Sequence, residues 1–324
     1  MMSRPDFMEK QVLYIESSEA KRLSFKNSNL VLTDESGKIT LQHSCHKIFV
    51  VFITGNFTIT SVLLKNAKRF GFPLVFLDYS LRPYFTFNSG TEGNFLLRKL
   101  QYTCKFNLEI AKHIVTNKIQ NQLQLMQSLR YKTKNEKECI LAMQESIKSV
   151  KVVKNSQELL GIEGTAAKLF FSTYFKNMNF KGRKPRVKSD IYNVLLDIGY
   201  TYLFNFIEAN LNFYGFDIYC GFYHKFFFQR KSLVCDIMEP FRCIIEKRLR
   251  KSYNLKQIKE DDFTCIQNRF VLKRNSSKKY TELFLRAILK HKEDIFLYVQ
   301  SYYRAFIKNK DIEKYPSCYI GESK

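Results

Sequence analysis

The chain has 324 residues, 45% of them apolar, with 30 Phe and 19 Tyr, which is enough to bury a sizeable core and excludes a disordered basic tail. Lys and Arg outnumber Asp and Glu by 53 to 30, and the resulting formal charge of +23 suits a polyanionic partner. No apolar run is long enough to span a membrane, and Met1-Met2-Ser3-Arg4-Pro5-Asp6 lacks the apolar core of a signal peptide.

The basic residues are spread among segments that read as folded and do not form one amphipathic anchor. That distribution favours nucleic acid over an anionic membrane surface. The eight cysteines are scattered with no Cys-x-x-Cys pair, the pattern of reduced, mostly buried thiols in a cytosolic protein.

Residues 1–87 read as a small β-rich domain. Short alternating runs at 11–15, 22–25, 30–33 and 38–41 are punctuated by turn-prone Ser17-Ser18, Asn27-Ser28-Asn29 and Glu35-Ser36-Gly37. The continuous apolar run at 47–54 predicts a central strand buried on both faces. A helix follows, capped by Thr58 or Thr60, with Val62, Leu63, Ala67 and Phe70 as its buried stripe and Gly71 closing it. Strands at 74–77 and 84–87 complete the domain. Asn88-Ser89-Gly90-Thr91-Glu92-Gly93-Asn94 reads as a linker.

From residue 95 to 324 the hydrophobic period is helical, and the expectation is an α+β chain whose second, larger domain is all-helical. Residues 95–129 read as one or two helices, 135–151 as another, and a further helix runs from Gly164 through Phe175. Helices at 190–213, 233–251, 255–268 and 279–307 follow.

Three residues in unusual surroundings are the candidate chemistry. Glu163 sits in Gly161-Ile162-Glu163-Gly164, read as the start of a helix, where the helix dipole favours a carboxylate. A plain first-turn glutamate has the same pattern. His224 closes Gly221-Phe222-Tyr223-His224 in an aromatic stretch, which a packed core histidine would share, although Lys225, Arg230 and Lys231 nearby suit phosphate. Asp236 and Glu239 are three apart and share a helix face, with Arg242 placed to pair with Glu239. A surface salt-bridge ladder would read the same way. The apolar neighbours Leu233, Ile237, Met238 and Phe241 and the helix-breaking Pro240 favour a functional site instead.

Two carboxylates and an imidazole suit a divalent cation such as Mg²⁺ or Mn²⁺ acting on a phosphodiester. Cys220, His224, Cys235 and Cys243 match no compact zinc module, and His43-Ser44-Cys45-His46 reads as a strand-edge turn. Basic clusters lie at 181–188, at Lys247, Arg248, Arg250 and Lys251, and at Lys273, Arg274, Lys278 and Lys279. Tyr253 and Tyr280 are interleaved as candidates for stacking on bases.

The ordered motifs Gly161-Ile162-Glu163-Gly164, Gly221-Phe222-Tyr223-His224 and Asp236-Ile237-Met238-Glu239-Pro240-Phe241-Arg242 resemble those of the CRISPR-associated integrase, the endonuclease of spacer acquisition. The helix starting Asp190-Ile191-Tyr192-Asn193 and the strand-helix-strand unit from Phe52 to Asp78 are similar to the same family, so the resemblance covers nearly the whole chain. It implies a β-rich N-terminal dimerisation domain and a helical catalytic domain. Glu163, His224 and Glu239 would ligate Mg²⁺ or Mn²⁺, with Asp236 as an accessory acid and Asn193 and Tyr200 in support.

The resemblance further implies a cytoplasmic, prokaryotic homodimer that assembles with a small second adaptation protein. That heterohexameric complex joins the 3′-hydroxyl ends of captured double-stranded DNA to the CRISPR repeat by transesterification. Arg98 and Gln101 fit the family's Arg-x-x-Gln pattern. With Arg183, Lys184, Arg186, Lys225, Arg230, Arg242 and Arg248 they are the expected DNA contacts. A non-catalytic DNA-binding scaffold of the same fold and an RNA-processing nuclease are the alternatives. Tyr223 stands where the family often has an aliphatic residue, and the third acid is Glu where some members have Asp.

Overall fold

The structure, a computed structural model, describes residues 2–89, 93–180, 182–184, 187–224 and 228–320, with residues 18–20 described by their backbone alone. A short helix α1 (Arg4–Glu9) leads into β1 (Gln11–Lys26), β2 (Asn29–Thr33), β3 (Ile39–Ser44), β4 (Ile48–Ile59), β5 (Leu74–Leu77) and β6 (Pro83–Phe87). These form one six-stranded sheet in the order β3-β2-β1-β4-β5-β6, with β4 parallel to both β1 and β5 and the remaining pairs antiparallel.

Residues 48–54 of β4 are all buried, as a continuous apolar run on a central parallel strand requires. The turn expected at Ser17-Ser18 is instead an irregularity inside β1, whose register against β4 shifts between Ser17 and Lys21. Helix α2 (Ser61–Phe70) starts where the Thr60 hydroxyl accepts from Leu63 N–H and stops at Gly71, whose φ of 74° only glycine adopts without cost. Leu63 and Ala67 pack into the sheet core as expected, whereas Val62 is 53% exposed.

The remaining described residues are mainly helical: α3 (Phe95–Tyr102), α4 (Asn107–Gln127), α5 (Lys134–Val152), α6 (Ser156–Tyr174), α7 (Ile191–Tyr214), α8 (Ser232–Met238), α9 (Arg242–Asn254), α10 (Ser277–Lys290) and α11 (Lys292–Ile307). A 3₁₀ turn, Glu239–Phe241, separates α8 from α9. By their contacts the residues group into Met1–Lys99 with Asn205–Asp217, and Leu100–Phe204 with Ile218–Lys324.

The helix expected at 255–268 is corrected to a hairpin, β7 (Phe263–Ile266) with β8 (Arg269–Leu272). Gln267 and Asn268, at φ 48° and 59°, make its two-residue turn, a geometry helices exclude. Asp262 fixes the hairpin's root by accepting from the hydroxyls of Ser276 at 2.8 Å and Tyr280 at 2.7 Å. The expected 279–307 helix is likewise two helices, divided at His291. All eight cysteines carry free thiols.

Candidate functional site

The site begins on α4. Ile110, Ile114, Lys118, Asn121 and Leu125 recur at helical spacing and are all buried, so the apolar stripe carries a cation and an amide in its middle. Asn117 and Asn121 fix this face. The Asn117 side chain accepts from Cys318 N–H at 3.0 Å and donates to the Cys318 carbonyl at 2.7 Å. The Asn121 amide accepts from Ile320 N–H at 3.2 Å and donates to the Pro240 carbonyl at 2.8 Å.

Glu163 is on α6, whose start differs from the expected one. The helix begins at Ser156, where the Asn155 side chain accepts from Gln157 N–H and Glu158 N–H, so Glu163 lies in the helix interior and its first-turn dipole is not what steadies the carboxylate. Partners do that instead. Lys118 Nζ is paired with Oε1, and the Tyr223 hydroxyl donates to Oε2 at 3.3 Å. Gly161 and Gly164 have open space where a Cβ would stand, so α6 is bare on both sides of the acid.

His224 is held by Asp236. The Asp236 carboxylate accepts from the backbone N–H groups of Phe222 (2.6 Å), Tyr223 (3.0 Å) and His224 (2.9 Å), and from His224 Nδ1 at 2.7 Å. A carboxylate can only accept, so Nδ1 carries a hydrogen and Nε2 is the ring nitrogen left for a metal. Gly221 permits this packing: a Cβ there would lie 2.8 Å from both Asp236 Oδ2 and the Ser232 backbone.

Glu239 opens the 3₁₀ turn. Pro240 lacks the N–H that a continuous helix would use, and the carbonyl of Pro240 is taken by Asn121. Glu239 Oε1 is 3.0 Å from Arg242 Nε and 3.9 Å from His224 Nε2, and Oε2 is 2.6 Å from Lys118 Nζ. Burial alone would push this carboxyl up, but Arg242 and Lys118, with His224, outweigh it and hold it at about 2. Burial likewise opposes the charge on Lys118, yet the two glutamates win and the ammonium is held well above its ordinary value. Tyr223 is pushed up by burial and then by Glu163, so its hydroxyl stays a donor.

These residues suit a divalent cation. One positive centre, Lys118 Nζ, already touches both Glu163 and Glu239, so a single point lies within reach of both carboxylates. Glu239 Oε2 is buried, and its contact is the Lys118 ammonium at 2.6 Å. The donor set of carboxylate oxygens and one imidazole nitrogen is that of Mg²⁺ or Mn²⁺. As the side chains stand, no three His, Cys, Asp or Glu among the described residues are gathered closely enough to hold one ion, the candidate zinc set included. The Lys118 ammonium lies between the carboxylates.

Asn193 and Tyr200 connect to this cluster through arginines. Asn193 Oδ1 accepts from Arg183 Nη1 at 3.0 Å and from Lys184 N–H at 2.9 Å, and Arg183 also pairs with Asp197 at 2.6 Å. The Tyr200 ring has the guanidinium groups of Arg183 (5.4 Å) and Arg242 (4.7 Å) against it, and its hydroxyl donates to the buried Glu246 at 2.9 Å.

Several expected DNA contacts are otherwise engaged. Gln101 is buried with its amide on the Cys220 carbonyl at 3.3 Å, and Tyr280 is fully buried, which removes both from any surface. Arg98 donates to the Gly215 carbonyl at 3.2 Å, Arg248 to Gln257 at 3.1 Å, and Lys279 pairs with Asp262 at 2.6 Å. Arg242 serves Glu239. Lys184 and Arg230 are exposed. Arg186 and Lys225, with Lys181, lie outside the described residues.

Lys118 and its flanking asparagines are the residues of this cluster that sequence reasoning missed. The signal was present: Thr116-Asn117-Lys118-Ile119-Gln120-Asn121-Gln122 puts polar side chains at stripe positions that aliphatic residues occupy one turn before and after.

A family model described as "CRISPR associated protein Cas1" matches residues 13–286. The chain belongs to that family. The matched span contains Lys118, Glu163, His224, Asp236 and Glu239, while the segment from Tyr315 to Ile320 that pairs with α4 lies beyond it. The chain is 29% identical over 276 residues to the CRISPR-associated endonuclease Cas1 1 of Thermodesulfovibrio yellowstonii, covering 81% of this chain and 87% of that relative. Its fold is similar to that in a Cas6-RT-Cas1–Cas2 complex, with a TM-score of 0.82, 23% identity and coverage of 97% of this chain but 36% of that longer one. A casposase bound to integration product is also similar, with a TM-score of 0.80, 19% identity and coverage of 97% and 96%. Like these structures, this Cas1-family chain has an N-terminal sheet followed by a helical part.

Proposed function

We propose that this Cas1-family chain is a divalent-metal-dependent DNA integrase and endonuclease of CRISPR adaptation, joining the 3′-hydroxyl ends of captured DNA to the CRISPR repeat by transesterification. The observation that carries the reading is the meeting of Glu163 and Glu239 at one cationic centre, with His224 Nε2 turned towards Glu239 by Asp236. The named casposase bound to integration product, a protein of the same fold, supports it.

Glu163, Glu239 and His224 would hold Mg²⁺ or Mn²⁺. When bound, such an ion polarises the phosphodiester and offsets the charge that builds on its oxygens. Asp236 fixes the imidazole tautomer and ring orientation. Arg242 orients Glu239 and keeps it ionised. Tyr223 fixes the far oxygen of Glu163. Exposed Lys184 and Arg230 contribute sequence-neutral phosphate binding, which weakens steeply as salt rises.

The working assembly in this reading is a cytoplasmic homodimer, paired through the sheet domain, acting with a Cas2-type partner. The Cas1–Cas2 complex among the similar structures supports that partner. The test is strand joining of a short double-stranded DNA to a repeat-bearing plasmid, with the partner present, in Mg²⁺ or Mn²⁺. Glu163→Ala and His224→Ala are each expected to lose at least about a thousandfold of the rate while retaining DNA binding. Joining unchanged in both variants would end the reading.

A further inference from the structure

Lys118 is buried, and its ammonium contacts the same two carboxylates that would receive the divalent ion. Asn117 and Asn121 on either side bond to backbone groups of Cys318, Ile320 and Pro240, so the turn of helix bearing Lys118 is fixed in place. The charge count around it is specific. Asp236 is already satisfied by three backbone N–H groups and the His224 ring. In direct ion contact that leaves Glu163 and Glu239 with Lys118 and Arg242, two negative charges against two positive ones, with the buried Glu246 carboxyl acting on both cations from further off.

We propose that Lys118 is a built-in counter-ion that holds the divalent-ion seat between Glu163 and Glu239 and must give way when a metal binds. The inference rests on the metal reading of the site given above. Without an ion, two acids side by side, Glu239 buried and Glu163 partly so, repel each other, and a lysine contacting both removes the repulsion and keeps their oxygens aimed at one point. The same lysine opposes metal entry. A dication entering the cluster would add two positive charges, and withdrawal of the ammonium removes one of them and frees both carboxylates for the ion. Lys118 therefore makes the site foldable without metal and sets a weaker, more readily exchanged metal affinity than its ligands alone would give.

The experiment uses the full chain and Mn²⁺ as the probe, with free Mn²⁺ read by its electron paramagnetic resonance and unfolding followed in EDTA. Lys118→Met is expected to bind Mn²⁺ at least about tenfold more tightly than wild type. It should melt about 10 °C lower in EDTA and recover more on Mn²⁺ addition than wild type does. Lys118→Arg, which keeps the positive charge, should stay within about threefold of wild type in Mn²⁺ affinity. If Lys118→Met does not fold in EDTA, folding restored by Mn²⁺ supports the inference, and failure to restore it overturns it. Affinity unchanged or weakened in a folded Lys118→Met also overturns it. Wild type that binds no Mn²⁺ overturns both this inference and the metal reading. Wild type that binds with unchanged affinity in Lys118→Met overturns this inference alone.

Discussion

Ile53 on β4 and Lys118 on α4 are buried to 1% and 7% exposure, and they are held there by opposite means. Around Ile53 the sheet core is apolar: Ile15, Leu23, Val51, Leu63, Ala67, Phe72 and Leu74 need only fit one another. Around Lys118 stand Glu163, Glu239, Arg242, Asn117 and Asn121, each of which is costly when its partner is missing. An apolar core loses roughly the contacts of the residue removed, whereas a buried charge cluster fails as a unit. A fold needs only the first kind of core. The second fits a site that must present charge to a phosphate or a cation.

Arg242→Met should sharpen this contrast most. It removes the guanidinium from Glu239 and is expected to cost about 4 kcal/mol in urea unfolding. Adding Glu239→Leu should recover at least about 1 kcal/mol, because the buried carboxylate that has lost one of its two cations is then gone as well. Strict additivity of the two changes would break the contrast. In the sheet, Ile53→Ala should cost about 3 kcal/mol through transfer and cavity terms, with strand joining by the folded fraction unaltered.

A further effect is a dependence on pH. Glu239 is held at about 2 in the folded chain against an ordinary 4.5, so the folded state binds this proton less readily than the unfolded one. Its contribution is complete above about 4.5 and drains away as pH falls towards about 2. In metal-free buffer, the stability difference between wild type and Glu239→Gln should shrink across that window. A difference that stays constant would show that Glu239 is not held ionised by its neighbours.

The two regions also differed in how far their sequences could be read. The run at 48–54 and the Thr60 and Gly71 caps announced β4 and α2, since periodicity and capping are local properties. The motif residues Glu163, His224, Asp236 and Glu239 were legible because each stood in a marked setting, and Arg242 was correctly paired with Glu239 by helix spacing. Lys118 had no such mark. What buries its ammonium is a pair of acids on α6 and in the 3₁₀ turn, and nothing within its own helix specifies that. The hairpin at 263–272 escaped for a related reason, being rooted by Asp262 against residues of α10 and the turn before it. Gln101 and Tyr280 look like surface groups in the sequence, and tertiary packing buries both.

One measurement bears most directly on the shared role of Glu163, His224 and Glu239: anomalous diffraction from crystals soaked in Mn²⁺. The expected result is one peak per chain at bonding distance from Glu163, Glu239 and His224 Nε2, with the Lys118 ammonium moved off the carboxylates. A peak bound elsewhere, or no peak at a Mn²⁺ concentration that supports strand joining, would contradict it.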